Sequence, residues 1–286
     1  MASLKTIRKR IASAKSTQQI TKAMKMVSAA KLRRAQEAAQ AARPYAEKLG
    51  ELLHAVAARA RDVQHPLLAA RERERHIDVI TITSDRGLCG GYNSNLIRQT
   101  EALIAQHAGT TVRLTAIGNK AYLFFRKRAV GVAEQHTHLP AGPDHALALQ
   151  LAGRVARDFA SGATDGVYVV YGRFRSAISQ VPTVEQVLPV ASATVGEAVL
   201  TDYIYEPDAA TLLDRLLRQY ITTVIDHAFL ESIASEHGAR MTAMESATSN
   251  AGDMIDRLTL DMNRARQAAI TKELMEIVSG AEALKG

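Results

Sequence analysis

Both ends of the chain have the residue pattern of long helices. Pro207 is the last proline, so the 79 residues from Asp208 to Gly286 contain no residue that a helix interior excludes. The first 43 residues contain neither proline nor glycine and are rich in Ala, Lys, Arg, Gln and Met, which all tolerate the helix. A helix of 79 residues would extend roughly 120 Å, several times the width of a compact domain. The pattern therefore predicts terminal helices that pack on each other or inside a partner.

A second pattern lies within these ends, where small and apolar residues recur alternately three and four positions apart. In the C-terminal segment they are Met241, Met244, Thr248, Ala251, Ile255, Leu258, Met262, Ala265 and Ala269. A weaker seam in the N-terminal segment consists of Ile7, Ile11, Ala14, Gln18, Thr21, Lys25, Ser28 and Leu32, with Ile20, Met24 and Val27 beside it. A period of about 3.5 residues is typical of a left-handed coiled coil, in which core packing is the simplest role for methionine. Because both segments flank a single middle domain, we predict an antiparallel intramolecular pair.

The middle of the chain alternates short β-branched segments with helical ones. Strands are predicted at Ile77–Thr83, Val112–Ile117 and Val167–Tyr171, with an edge strand at Val184–Val190 in a segment that carries Pro182 and Pro189. Helices are predicted at Asn95–His107, Lys120–Arg128 and Asp144–Phe159, and the charged stretch 71–75 is predicted as a surface connector. This alternation is typical of an α/β domain with a mainly parallel, Rossmann-like sheet.

The fold class that follows is α/β, with a long antiparallel coiled coil of the terminal helices and a central Rossmann-like domain. Residues 1–65 are predicted as the N-terminal helix, 66–207 as the α/β domain and 208–286 as the C-terminal helix. Only 5% of the residues are aromatic and none is Trp, which favours helix pairs that touch through Ala, Leu, Met and Ile. The single cysteine, Cys89, excludes an intramolecular disulfide and suits a reducing compartment. No apolar run approaches the roughly 18 residues of a membrane span, so we expect a soluble or peripheral protein.

The positive charge is concentrated at one end of the chain. Residues 1–43 carry eleven Lys or Arg and one acid, Glu37, a net charge of +10, so the remainder carries −3 of the total of +7. A basic helix of this kind can bind nucleic acid, anionic lipid or acidic loops of a protein partner. The alternative to a binding role is that these charges only keep an exposed helix face solvated.

The best enzymatic candidate is the loop from Ser84 to Asn93, which follows a strand and precedes a helix. Many α/β proteins hold a phosphate at such a place. The loop fits neither G-x-G-x-x-G nor G-x-x-x-x-G-K-[ST], and its own sequence offers no lysine to reach a phosphate. A structural turn that needs positive φ at Gly87, Gly90 or Gly91 is therefore favoured.

Other candidate chemistry is weaker. Cys89 has no histidine near it in sequence to activate its thiol. The histidines at 136, 138 and 145 are not accompanied by a Cys/His ligand set, which makes a metal site improbable. Asp202 and Glu206 could form an acid/base pair, but a surface loop that also holds Tyr203 and Tyr205 is more typical of a contact site.

Five segments carry a resemblance to a known family. They are Ile11 to Val27, Ser84 to Asn93, Tyr205 to Asp208 (Tyr-Glu-Pro-Asp), Met241 to Thr248 and Asn263 to Leu274. Together they closely resemble the gamma subunit of F-type ATP synthases and occur in the family's order, and the resemblance extends over residues 4 to 280.

The resemblance implies the central rotor stalk of a bacterial enzyme, with no catalytic site, cofactor or metal of its own. Its terminal helices would form an asymmetric coiled coil inside the ring of alpha and beta subunits. Its middle domain would lie beside epsilon and on the membrane ring of c subunits. The chain would then be a peripheral membrane protein on the cytoplasmic face of the bacterial inner membrane, coupling ion transport to ATP synthesis or hydrolysis, with no nucleic-acid partner and no small-molecule substrate.

Residue by residue, the resemblance also implies contacts. Met24, Lys25 and Arg240 match positions where the family's shaft meets the lower lobe of beta. Arg266, Gln267 and Thr271 match its meeting with the upper catch loop, and Tyr203, Tyr205 and Glu206 match the foot on the c ring. The basic N-terminal helix would face an acidic loop of beta. We expect a shaft surface of low hydrophobicity, because strong apolar contacts would resist turning. A thiol switch like that of chloroplast relatives is not expected.

Two other classes of function stay open on the residues alone. A nucleotide-binding α/β enzyme would use the loop at 84–93, where the missing lysine argues against it. A nucleic-acid-binding protein would use the basic helix and show strongly salt-dependent affinity for DNA.

Overall fold

The two terminal helices are present in the computed structural model, which describes residues 4–59, 65–139, 142, 144–190 and 208–283. Helix α1 covers Leu4–Arg59 and helix α5 covers Ala209–Ala283. Pro44 lies inside α1, as the predicted continuation of the helical pattern beyond it requires. Among the described helices, none is long and apolar enough to cross a membrane.

The middle of the chain forms one five-stranded sheet. Its strands are β1 (His76–Ile82), β2 (Thr111–Ile117), β3 (Glu134–His136), β4 (Gly166–Phe174) and β5 (Gln180–Leu188). They lie in the order β3-β2-β1-β4-β5, and every neighbouring pair is parallel except the antiparallel pair β4 and β5. The prediction of a mainly parallel sheet is confirmed, and β5 is an edge strand, where Pro182 is tolerated.

Helices cover both faces of the sheet. Helices α2 (Tyr92–Gln106) and α3 (Asn119–Phe125) pack on one face, in a core that includes Val79, Leu96 and Phe125. Helix α4 (His145–Ala160) packs on the other face together with parts of α1 and α5. Because both faces are covered, six of the seven residues of β1 are buried, as a central parallel strand requires.

One central strand carries a buried charge that its neighbours compensate. Asp78 of β1 is 1% exposed, and its carboxylate accepts hydrogen bonds from Arg113 and Arg154. Arg113 also pairs with Asp158, and these contacts raise the pKa of its guanidinium. The paired arginines offset the cost of removing the Asp78 carboxylate from water.

The described chain divides into two compact units whose boundaries lie within the long helices. One unit comprises the described parts of Met1–Val27 and Met241–Gly286, and the other comprises the described parts of Ser28–Arg240. In the second unit, Leu53 of α1 and Leu217 of α5 are buried in the same core as Leu151 of α4. The segments predicted as separate terminal helices thus contribute to the core of the α/β unit.

In the first unit the helices are antiparallel, and their contacts follow the predicted seam. Hydroxyl oxygens of Thr21 and Thr248 lie 2.8 Å apart, and Lys25 Nζ lies 2.6 Å from Glu245 Oε1. A Cβ at Gly252 would lie 3.2 Å from Gln18 Nε2. The contacts pair rising numbers in α1 with falling numbers in α5, and the nine seam positions of α5 are all buried or half-buried. The periodicity therefore identified the correct faces.

The structure also corrects the sequence interpretation locally. Strand β3 was not predicted, because three residues are too few to give a period. Of the three loop glycines, only Gly90 has positive φ (56°), whereas Leu88 adopts 64°. The sequence therefore predicted the need for left-handed backbone correctly but missed one of the residues that supplies it.

Gly118 is the glycine for which a side chain is least tolerable. A Cβ there would lie 2.1 Å from the Thr83 carbonyl oxygen, at a φ of 88°. We expect Gly118→Ala to lower the free energy of unfolding by more than about 3 kcal/mol, measured by urea denaturation. The control is Gly109→Ala, which has a φ of 90° and open space, and whose backbone strain should cost about 1 to 2 kcal/mol. Equal losses in the two variants would contradict this account.

Candidate functional site

Two of the residues predicted to meet the lower lobe of beta differ in accessibility. Met24 is half-buried, and the side chain of Lys25 is 37% exposed while it pairs with Glu245. An exposed ion pair of this kind contributes less than about 1 kcal/mol to stability. Lys25 is therefore reachable by a partner at little cost to the fold.

The residues predicted to meet the upper catch loop lie on the exposed side of α5. Arg266, Gln267 and Thr271 are all exposed, whereas the seam residues Ala265 and Ala269 are half-buried. These three side chains are therefore accessible to a partner. The predicted foot residues Tyr203, Tyr205 and Glu206, together with Asp202, lie outside the described residues.

The last part of α5 has an apolar surface. Large hydrophobic side chains with exposed fractions of 51 to 70% are Ile270, Leu274, Met275, Ile277 and Val278. The expectation of a low-hydrophobicity surface is therefore wrong for this segment. Ile270, Leu274, Ile277 and Val278 recur about one helical turn apart, and such a stripe is typical of a site that a partner covers.

The basic side chains of α1 mostly face solvent. Nine of the eleven Lys and Arg in residues 1–43 are exposed, and Lys25 and Lys31 are half-buried. Among them, Arg33 and Arg43 pair with Glu37 and Glu47 along the same helix. The described part of α1 thus presents the positive face that its composition predicts.

The glycine loop, residues 84–93, is held by its own polar groups. Asn93 Oδ1 accepts from the Ser84 amide at 3.0 Å, and the Ser84 hydroxyl donates to the Arg86 carbonyl at 2.6 Å. Asn93 Nδ2 lies 3.1 Å from Cys89 Sγ. Leu88 is 61% exposed. It also has a left-handed backbone, which is uncommon for a residue other than glycine. The loop is thus a fixed turn that displays one leucine.

The backbone donors beside this loop already have partners. At the start of α3, the amide of Asn119 donates to Asp85 Oδ1, that of Lys120 to the Ser84 carbonyl and that of Ala121 to Thr83 Oγ1. These bonds join the loop to α3, a helix that follows β2. At the start of α2, the helix that follows the loop, the Tyr92 amide donates to the Cys89 carbonyl at 3.2 Å. The turn therefore serves the fold, as the sequence favoured.

One part of the sequence argument against a phosphate site does not hold in space. Lys120 lies outside the loop in sequence, yet its Nζ is 3.9 Å from the position of a Cβ on Gly87. A lysine is therefore present beside the loop.

A groove of about 1050 Å³ is a separate feature of the α/β unit. It is lined by residues of α1, α4 and α5, and no residue of the glycine loop lines it.

Arg240, assigned by the sequence to a partner contact, points into the chain. It is 8% exposed, and its Nη1 lies 2.6 Å from Glu236 Oε1. Its Nη2 donates to the carbonyls of Gly87 at 3.2 Å and Arg86 at 3.4 Å. The i, i+4 spacing of Glu236 and Arg240 could have indicated their pair, but nothing in the sequence indicated the loop carbonyls as acceptors.

Burial shifts the pKa values of the groups around Arg240. It lowers the pKa of His237 to about 4, with the charges of Arg240 and Lys31 acting in the same direction. It raises the pKa of Glu236, which Arg240 partly offsets. Burial likewise raises the pKa of the Cys89 thiol, so the thiol stays protonated at neutral pH and is a poor nucleophile.

The three histidines considered as metal ligands have separate partners. His136 Nε2 lies 2.8 Å from Glu134, His138 Nδ1 lies 3.2 Å from the Thr137 hydroxyl and His145 Nδ1 lies 2.5 Å from Asp226. Within the described ranges, no three His, Cys, Asp or Glu side chains converge as metal ligands.

Comparison with known proteins places this chain beside one family along its whole length. The family model described as ATP synthase matches residues 3–284. The ATP synthase gamma chain of Pelotomaculum thermopropionicum is 50% identical over 287 residues, and that of Geobacter sp. strain M21 is 50% identical over 289 residues. Both alignments cover 100% of this chain and 100% of the relative.

Solved structures agree on the fold. A chain of the Tetrahymena thermophila mitochondrial ATP synthase central stalk and c ring superposes with a TM-score of 0.61 at 25% identity, covering 80% of this chain and 99% of that one. A chain from the Euglena gracilis mitochondrial ATP synthase superposes with a TM-score of 0.68 at 20% identity, covering 98% of this chain and 94% of that one.

His237 should make stability depend on pH. Its folded pKa of about 4 lies below the ordinary 6.5, so the unfolded chain binds a proton that the folded chain rejects, and stability falls as pH falls between these values. We expect the wild type to lose about 2 kcal/mol more than His237→Asn between pH 7 and pH 5. Asn keeps an acceptor for Arg240 without titrating.

Urea denaturation of both proteins at the two pH values measures the difference. The raised pKa of Glu236 acts in the opposite direction, but it is common to both proteins. Identical pH dependence in the two proteins would contradict the account.

Proposed function

The chain belongs to the family of ATP synthase gamma chains, and from this premise we propose that it is the rotor of a bacterial F-type ATP synthase. The observation that carries the proposal is the 50% identity to such gamma chains over their full length. A gamma chain has no catalytic site of its own, so ATP would be made or hydrolysed on the alpha and beta subunits.

The mechanism requires an asymmetric shaft. Three beta subunits of identical sequence hold different nucleotide states only if each meets a different face of the central subunit. Two antiparallel helices of different sequence provide such faces, because every direction around the pair presents different residues. Rotation would carry each beta site through binding, synthesis and release, driven by ion flow through the c ring. The proposal is supported by the unlike exposed surfaces of α1, which is basic, and the end of α5, which is apolar.

The proposed partners are the alpha and beta subunits, epsilon and the c ring, at the cytoplasmic face of the bacterial cell membrane. For the ring of alpha and beta, the assigned contacts are Met24, Lys25, Arg240, Arg266, Gln267 and Thr271. For the c ring they are Tyr203, Tyr205 and Glu206. The accessibility of Arg266, Gln267 and Thr271 supports the upper contact, and the buried guanidinium of Arg240 calls for a different role.

Reconstitution tests the proposal. The purified chain is combined with alpha and beta subunits from the same source, and ATP hydrolysis is measured with and without it. We expect activity that requires the chain, while the chain alone is silent. Calorimetry with ATP and a DNA titration at two salt concentrations accompany the assay. A folded chain that gives no active complex but binds ATP or DNA would overturn the rotor assignment in favour of those functions.

Arg266→Ala tests the upper contact. The guanidinium is exposed, so the substitution should leave the stability of the free chain unchanged. Loss of one hydrogen bond to a charged group should slow ATP hydrolysis of the complex by about tenfold. The control is Arg264→Ala, an exposed arginine two positions earlier that the resemblance does not assign to a contact. Equal slowing by the two variants would mean that charge alone, rather than position 266, is recognised.

A further inference from the structure

Arg240 donates its hydrogen bonds to groups inside the α/β unit. It is 8% exposed and donates to the Glu236 carboxylate and to the carbonyls of Arg86 and Gly87. Its Nη1 also lies 3.3 Å from His237 Nδ1, a contact that a neutral histidine can accept. A guanidinium with these partners has little left to offer a second protein.

The two carbonyls that Arg240 binds control the shape of the loop. The Gly87 carbonyl belongs to the peptide that joins Gly87 to Leu88, so holding that oxygen restrains the φ of Leu88. The Arg86 carbonyl belongs to the preceding peptide and restrains Gly87. Leu88 has a φ of 64° and is 61% exposed. An uncommon backbone conformation persists where its surroundings fix it, and here the bonds from Arg240 do so.

Glu236 completes the arrangement. Its carboxylate lies one helical turn before Arg240 and 2.6 Å from Nη1, which fixes the direction in which the guanidinium points. A charge-assisted hydrogen bond of this type holds geometry better than a neutral one. The exposed leucine is therefore anchored, through two peptide planes, to helix α5.

We propose that Arg240 is a positioning residue: it holds the glycine loop so that Leu88 is presented to the partner, and it does not contact the partner itself. The inference rests on the proposed function and changes the role of one residue within it. The partner surface is the lower lobe of beta, which the resemblance assigns to position 240. Because the backbone that carries Leu88 is already held, this apolar side chain can dock there without the cost of ordering the loop.

The first experiment uses the free chain and its single thiol. Cys89 belongs to the loop and is 1% exposed, so its rate of reaction with an aromatic disulfide reagent reports loop opening. We expect Arg240→Ala to raise that rate by about tenfold, because it removes the hydrogen bonds that close the loop. Removing the positive charge of Arg240 would by itself raise the pKa of the thiol and slow the reaction, so acceleration can come only from opening.

The matched control is Arg218→Ala. Arg218 lies on the same helix, pairs with an acid one turn away, Asp214, and has a side chain that is 46% exposed. Its removal should leave the thiol rate unchanged. A wild-type thiol rate in Arg240→Ala, or equal acceleration in both variants, would overturn the role of Arg240 in holding the loop.

The second experiment is a double-mutant cycle in the reconstituted complex. Arg240→Ala and Leu88→Ala should each slow ATP hydrolysis by about fivefold, and the double variant should be no slower than either single one. Arg240→Lys should behave like Arg240→Ala, since an ammonium keeps the charge but cannot bind both carbonyls and the carboxylate. Multiplied effects, or rescue by lysine, would show that Arg240 contacts the partner directly and would overturn the proposal.

The two experiments separate the possible failures. If the wild-type chain produces no active complex, the proposed function fails, and with it the presentation of Leu88 to beta. The thiol rates would still show whether Arg240 holds the loop. A complex that assembles with Leu88→Ala but not with Arg240→Ala would contradict a role for Arg240 that acts through Leu88.

Discussion

The structure depends on the packing of the first and last helices of the chain against each other. Their antiparallel contacts in the first unit involve short or polar side chains, such as the hydroxyls of Thr21 and Thr248 and the Gln18 side chain that approaches Gly252. Small residues let the helix backbones approach closely, but each buries little apolar area. The larger apolar contribution comes from the α/β unit, where Leu53 and Leu217 join the core beneath the sheet. The parts of α1 and α5 that belong to the second unit are therefore held by ordinary hydrophobic packing.

The glycine loop shows how a place that often binds phosphate can serve the fold instead. Its geometry, after a parallel strand and before a helix, is one that many α/β proteins use for ligands. Here Asp85, Ser84 and Thr83 accept from the first amides of α3, and Arg240 donates to the loop carbonyls. Each of these bonds holds the loop to a neighbouring part of the fold rather than to a ligand. The loop is thereby joined to α5, while Leu88 at its tip stays exposed together with Arg86, Gly90 and Gly91.

Much of the fold could be predicted from the sequence because its patterns are local. The seam positions from Met241 to Ala269 are all covered, since a period of about 3.5 residues identifies a helix face without knowledge of its neighbour. The central strands are rich in β-branched and apolar residues, as burial on both faces favours, although β1 also carries Asp78. Strand β3 was missed because Glu134–His136 is defined by its pairing with β2 rather than by its own residues. The apolar end of α5 was also misjudged, since its hydrophobic residues were not weighed as surface.

The sequence by itself determined the family, the two long helices, the faces on which they meet and the mainly parallel sheet. The family followed from the resemblance of five segments to known sequences. The other properties reside in residues that are neighbours along the chain or one helical turn apart, so spacing alone reveals them. The tertiary structure alone decided the direction of Arg240, the approach of Lys120 to Gly87 and the depressed pKa of His237. Arg240 and Gly87 are 153 positions apart, and no local periodicity relates them. Hydrogen bonding and burial depend on which distant groups the fold brings together, and for that reason only the folded chain shows that this arginine faces inward.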